Sequence, residues 1–229
     1  SPWRDTFTKV QGPSVQALQL SFVEDWHWAT DEIPEWNWRP KAAPSGVDWN
    51  ALVLPTGPAD TFESCSLLFV ALFHAAETRL WISTPYFVFD NQVLSALQLA
   101  ALRGVDVRIL VPERADYATA FYAGWSFHDD VLESGCRIFR FKEGFMHQKA
   151  VLVDDDLALL GTMNLDNRSM RLNFEIGILV ENETFASQVE EMLESDFARS
   201  SEVRQEELAK ENHFFRLKAR AARLFAPIL

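Results

Sequence analysis

The sequence predicts an α/β fold, a mixed β-sheet flanked by helices on both faces. Three observations carry that prediction. Between residues 49 and 141, short apolar runs alternate with helical segments, the order that builds strands joined by crossover helices. Between residues 145 and 181, strand-like runs follow one another with no long helix between them. Finally, 229 residues with 48% apolar content and mixed charge suffice for a substantial core, unlike a disordered composition.

The elements follow in order. Residues 1–10 read as a short extended piece. Gly12-Pro13 starts a helix in which Val15, Leu18, Phe22 and Trp26 recur at helical spacing. Residues 30–48, with Pro34, Trp36, Trp38, Pro40 and Pro44, read as an irregular connector. A strand at 49–54 is ended by the Pro-Thr-Gly-Pro run at 55–58. Next comes a helix at 60–77, capped by Asp60 or Thr61, and a strand at 79–84 stopped by Pro85. Residues 91–103 form a helix closed by Gly104, and 105–111 a nearly all-apolar strand ended by Pro112. A helix at 115–134 closes at Gly135 before a strand at 136–141. Strands at 145–154, 157–160 and 174–181 follow, and from Thr184 the chain reads as helical almost to its end, with Pro227 as a stop. No close internal repeat is visible. The expected units are 1–48, the tail of a preceding domain; 49–201, the main domain; and 202–229, a basic amphipathic tail.

Composition narrows the function. A net charge of −12 argues against wholesale binding to polyanions, so nucleic acid is not an expected partner. Cys65 and Cys136 are too isolated for a disulfide framework or a zinc site, and reduced thiols in a cytosolic setting are expected. No signal peptide is visible, and no apolar run reaches the roughly 20 residues of a membrane-spanning helix. The chain opens on a serine in what reads as mid-domain sequence. The expectation is therefore a fragment of a longer protein, with any membrane spans upstream.

The chemistry concentrates in one stretch. Along 145–154, His147, Lys149, Val151 and Val153 share one strand face, while Met146, Gln148, Ala150 and Leu152 share the other. An imidazole and an ammonium group thus project side by side, suited to a single phosphate. Downstream come Asp154 and the run Gly161-Thr162-Met163-Asn164. The spacing is His-x-Lys, four residues, Asp, six residues, Gly-Thr-x-Asn.

That pattern resembles the HKD signature of the phospholipase D superfamily, with Thr162 where serine is more frequent. The segments Trp3-Arg-Asp-Thr, 22–30, 83–87, 164–175 and 226–229 resemble the second half of the bacterial cardiolipin synthases, and the likeness covers essentially the whole chain. One departure is Phe89-Asp90-Asn91, where Pro-Asp-Glu is the pattern. The resemblance implies a phospholipase D-like domain without cofactor or metal. It also implies phosphatidyl transfer from one phosphatidylglycerol to another, giving cardiolipin and glycerol through a phosphohistidine, with water as a competing acceptor. His147 would be nucleophile or acid, and Lys149, Thr162 and Asn164 would hold phosphoryl oxygens. Asp154 stands in the catalytic set, with a structural role at the strand end as its alternative. Glu175 would orient the imidazole through its second nitrogen, and Gly161 would allow close backbone approach to the site.

No other histidine has a lysine two residues later, so a first HKD half in cis, or a second chain, is expected as partner. The implied location is the cytosolic face of the bacterial inner membrane. The competing reading is a phosphodiesterase or nuclease built from two identical chains. Two further features bear on membranes. The tail at 212–224 carries Arg216, Lys218, Arg220 and Arg223 beside Phe214, Phe215 and Leu217, suiting an anionic lipid surface or docking on its own domain. Trp26, Trp28, Trp36 and Trp38 suit a headgroup boundary or packing around the connector, and Tyr86 and Phe87 suit an acyl entry or the core.

Overall fold

The computed structural model describes residues 2–43, 45–47, 49–114 and 116–229, with backbone alone at 208–210. Expectations resting on Ser1, Pro44 and Asp48, and the start of a helix at Ala115, lie outside the described residues.

The chain opens with β1 (Trp3–Arg4) and α1 (Ser14–Thr30) and crosses the Pro- and Trp-rich connector to β2 (Asn50–Thr56). The alternating part follows as α2 (Ser64–Ala75), β3 (Arg79–Ser83), β4 (Phe87–Val88), α3 (Asn91–Leu102) and β5 (Asp106–Pro112). Next are α4 (Ala118–Trp125), α5 (His128–Leu132) and β6 (Arg137–Phe141). The strand-rich part contains β7 (Phe145–Met146), β8 (Ala150–Val153), β9 (Leu157–Gly161), β10 (Leu165–Asp166), the short α6 (Asn167–Arg171) and β11 (Glu175–Glu181). It closes with α7 (Glu183–Ala198), β12 (Ser200–Glu202), α8 (Gln205–Lys210), α9 (His213–Arg223) and a 3-10 turn at Ala226–Ile228.

Among the described residues, eight strands form the main sheet in the order β12-β6-β5-β3-β8-β9-β11-β2. β3, β5 and β6 are mutually parallel, and the other pairings are antiparallel, so the sheet is mixed. Period-two alternation sorts each strand between two cores. Val151 and Val153 of β8 pack with Phe69 and Phe73 of α2 and Leu97 of α3. Met146, Ala150 and Leu152 face the opposite side with Val189 and Leu193 of α7. Helices therefore cover both faces.

Several expectations are corrected. The helix placed at 60–77 begins only at Ser64, and neither Asp60 nor Thr61 caps it. The Asp60 carboxylate accepts from Gly57 N at 3.3 Å and is used in closing the preceding turn. The helix placed at 115–134 is two, because the Ser126 hydroxyl donates to the Ala123 carbonyl and the chain turns to bury Phe127 and His128. The strand placed at 145–154 breaks at 147–149, since β7 pairs with β1 while β8 pairs with β3 and β9. The end of the chain is not wholly helical. β12 pairs with the edge strand β6, held by Arg137 on Glu202 and by the buried Val203. In α1 the core-facing residue is Val23, while Phe22 and Trp26 are exposed and pack on each other. The tail docks on the domain: Phe215 of α9 packs against Tyr122 and Trp125, and Arg223 pairs with Asp130 at 2.7 Å.

Candidate active site

β8 runs against β3, so Ala150 pairs with Ser83 at the carboxyl end of the parallel strands. Lys149 and His147 extend past that end, where loops replace sheet and open α/β sheets leave a crevice for ligands. Gln148 between them is buried (1% exposed), while His147 and Lys149 are half-buried. The alternation expected of a strand thus survives the break in pairing.

His147 is held by the chain's first residues. Its Nδ1 lies 3.2 Å from Oδ2 of Asp5. A carboxylate only accepts, so Nδ1 carries the proton, and Nε2 keeps its lone pair while the ring is neutral. Trp3 packs edge-on against the imidazole with centroids 4.7 Å apart, and His147 N donates to Arg4 O at 2.8 Å. Gly144, at φ +112°, makes this docking possible: a Cβ there would stand 2.2 Å from Pro2 O.

A buried carboxylate locks both partners. Asp196 of α7, fully buried, accepts from Arg4 Nε at 3.0 Å and Nη2 at 2.9 Å, and from Arg199. It also accepts from Gln148 Nε2 at 2.8 Å, and Gln148 Oε1 in turn accepts from the Thr6 hydroxyl at 2.7 Å. The neighbours of Asp5 and the residue between His147 and Lys149 are therefore tied to one anchor.

Burial lowers the Lys149 pKa to about 8, against the upward pull of Asp5, Glu175, Asp166 and Asp116. Its Nζ donates to His147 O at 2.5 Å. Asn164 is 9% exposed, and its Oδ1 has no partner among the described residues. Asp166 caps α6 by accepting from Ser169 N at 2.7 Å, and burial raises its pKa.

The roles read from sequence for Glu175, Thr162 and Gly161 change, and Asp154 takes the structural alternative. Glu175 does not meet His147. It accepts from Thr162 Oγ1, from Ser169 Oγ at 2.7 Å and from Asn173 Nδ2 at 3.1 Å. The Thr162 hydroxyl is accordingly committed to Glu175. Asp154 lies about 16 Å from Lys149 at the far end of β8, taking roughly 3.3 Å per residue. With φ +49° it accepts from Thr78 N at 2.8 Å, Arg79 N at 3.0 Å and Glu77 N at 3.0 Å. Burial opposes its ionisation, yet these donors together lower its pKa. It organises a turn. Gly161 does allow a close approach, but by β11: a Cβ would stand 2.3 Å from Ile176 O.

The class follows from this fold and site: a phospholipase D-like domain. A phospholipase D family member, Nuc from Salmonella typhimurium, superposes with TM-score 0.59 at 20% identity, over 69% of this chain and 100% of that one. The phosphatidylserine synthase of Haemophilus influenzae Rd KW20 gives TM-score 0.64 at 22% identity, over 83% of this chain and 50% of that one. Residues 69–197 match the family described as "Cardiolipin synthase, PLD-like domain", and the chain belongs to that family. Cardiolipin synthase A of Pseudomonas putida (strain GB-1) is 46% identical over 232 residues, covering 100% of this chain and 47% of that protein. Cardiolipin synthase A of Pseudomonas aeruginosa (strain LESB58) is 47% identical over 229 residues, covering 100% and 46%. The chain spans about half the length of the curated relatives it matches.

Asp5 is the site residue that sequence reasoning missed. It reaches His147 only because β1 pairs with β7, a contact distant in sequence.

Proposed function

We propose that this chain is the second catalytic half of a cardiolipin synthase and transfers a phosphatidyl group between two phosphatidylglycerol molecules. The observation that carries the reading is the Asp5–His147 pair beside Lys149 at the sheet's carboxyl end. Nε2 of His147 attacks the phosphorus of the donor lipid, forming an N–P bond as the P–O bond to glycerol breaks. The leaving oxygen takes a proton from the imidazolium of the partner motif. Lys149 and a free amide hydrogen of Asn164 stabilise charge on the phosphoryl oxygens. The acceptor's hydroxyl then attacks the same phosphorus, the N–P bond breaks, and the proton returns to the partner imidazole. Glu175 would orient that second imidazole as Asp5 orients His147. Thr162 serves by holding Glu175.

The partner is a first HKD half in cis, or a second chain, and the setting is a membrane surface. No helix among the described residues is long and apolar enough to cross a membrane. Contact through α9 is supported by exposed Phe214 and Leu217 beside Lys218.

A two-motif protein containing this chain is incubated with phosphatidylglycerol vesicles and, in parallel, with DNA. Cardiolipin is the expected product, lost in His147→Ala with the fold intact by circular dichroism. Cleavage of DNA without cardiolipin, or cardiolipin formed by His147→Ala, rejects the reading.

A further inference from the structure

A cavity of about 470 Å³ opens beside the site, between the loop after β3, the start of α4 and the turn carrying α6. Its size suits a small organic ligand. Tyr86, Tyr117, Thr119, Asn164, Asp166 and Arg168 line it, beside the apolar Val88, Ala120 and Leu229. The interior offers hydrogen-bond acceptors. Asn164 Oδ1 is buried and unpartnered, and the Asp166 carboxylate stands next to it. An unmatched buried acceptor calls for a donor from outside the protein. The Tyr86 hydroxyl is fixed on Asp116 at 2.7 Å, so its ring serves as a wall. At the rim, the exposed Arg168 guanidinium makes no hydrogen bond or ion pair with the described residues.

Acceptors inside and one uncommitted cation at the mouth match a ligand with hydroxyls at one end and a phosphodiester at the other. A polyphosphate would meet the Asp166 carboxylate. Asn164, assigned above to the phosphoryl oxygens, lines the cavity and joins it to the site.

We propose that this cavity is the acceptor subsite, which takes the glycerol end of a second glycerophospholipid with its phosphodiester on Arg168. The assignment rests on the phosphatidyl-transfer reading above. The secondary hydroxyl of the glycerol end donates to Asn164 Oδ1 and is held, while the oxygen of the terminal hydroxyl attacks the phosphohistidine. The N–P bond breaks as the new O–P bond forms, and the hydroxyl proton passes to the partner imidazole. With the cavity filled, water takes the acceptor's place.

Two measurements test this. In the first, the chain is titrated with glycerol 1-phosphate, inorganic phosphate and glycerol, following the Arg168 and Tyr117 side chains by NMR. Glycerol 1-phosphate is expected to bind at least roughly tenfold more tightly than either fragment, with Thr119→Trp abolishing the saturable shift and Arg168→Gln weakening it roughly tenfold. Equal binding of inorganic phosphate and glycerol 1-phosphate marks a general anion patch and overturns the proposal. In the second, the two-motif protein is assayed for cardiolipin against phosphatidic acid. Thr119→Trp and Arg168→Gln are expected to lower that ratio roughly tenfold while donor consumption persists, a built-in control for folding. An unchanged ratio in both variants, with His147→Ala inactive, overturns the subsite and leaves the transfer reading standing. Full activity of His147→Ala overturns the transfer reading itself.

Discussion

Nδ1 of His147 lies 3.2 Å from Oδ2 of Asp5, a residue 142 positions earlier in the chain. The pairing fixes both the ring's orientation and its tautomer, since a carboxylate can only accept. Replacing Asp5 with Asn lets the amide either donate or accept, so both tautomers are admitted and Nε2 is no longer reserved as the nucleophilic nitrogen. In the two-motif protein, Asp5→Asn is expected to lower kcat by up to about 10⁴-fold, the size of effect when the carboxylate behind a reacting imidazole becomes an amide. KM should stay near its original value, because the phosphate contacts are untouched. Steady-state kinetics on phosphatidylglycerol vesicles check this.

Asp196 has a structural and a positioning role, and the two are separable. Removing a buried carboxylate that holds two arginines costs about 3–5 kcal/mol, so Asp196→Ala should unfold at clearly lower urea concentration than the parent chain. Asp196→Asn keeps the shape and one acceptor, and is expected to fold. Its weaker grip on Arg4 and Gln148 frees the backbone on both sides of the Asp5–His147 contact. The 15N shifts of the His147 ring should then report mixed tautomers, as in Asp5→Asn. A ring unaffected in a folded Asp196→Asn variant would limit Asp196 to stability alone.

Lys149 sets a pH window. Burial brings its pKa down from 10.5 to about 8. Between those values the unfolded chain binds more protons than the folded one, so this group's contribution to stability improves as pH rises from 8 towards 10.5. Lys149→Met should therefore melt higher than the parent at pH 7, and the difference should shrink above pH 8. Binding runs the other way. An ammonium is needed against a phosphoryl oxygen, so inorganic phosphate should bind this chain more weakly as pH passes through about 8, and Lys149→Arg should remove that dependence. Differential scanning calorimetry and phosphate titration at several pH values read both signs.

The sheet was legible in the sequence because its strands are bounded by hard punctuation: Pro85 after β3, Gly104 before β5 and Gly135 before β6 all mark real boundaries. The motif spacing was legible for the same local reason. What stayed hidden depends on contacts distant in sequence. Asp5 is an ordinary acid in an extended segment until β1 pairs with β7, and β12 is three polar-rich residues until β6 offers an open edge. The Glu175 reading failed because proximity to the motif cannot show which way a carboxylate faces. Thr162, Ser169 and Asn173 supply its donors instead.

Gly161 and Gly104 separate two reasons for glycine. A Cβ on Gly161 would stand 2.3 Å from Ile176 O and 2.8 Å from Gly177 Cα, both backbone atoms that no rotamer change can move. Gly161→Ala must push β9 from β11, an overpacking cost of about 1–3 kcal/mol. Gly104 meets nothing within 4 Å but sits at φ +94°, so Gly104→Ala pays for backbone conformation alone, about 1–2 kcal/mol. Melting temperatures should thus fall by similar amounts. Activity should not. The β9–β11 shift carries Thr162 and its hydrogen bond to Glu175 with it, next to Asn164, whereas Gly104 lies between α3 and β5 at the sheet's opposite end. At a temperature where both variants are folded, Gly161→Ala should show reduced kcat in the two-motif protein and Gly104→Ala the parental value. Equal activity in the two would mean that the β9–β11 spacing has no hold on the phosphate-binding residues.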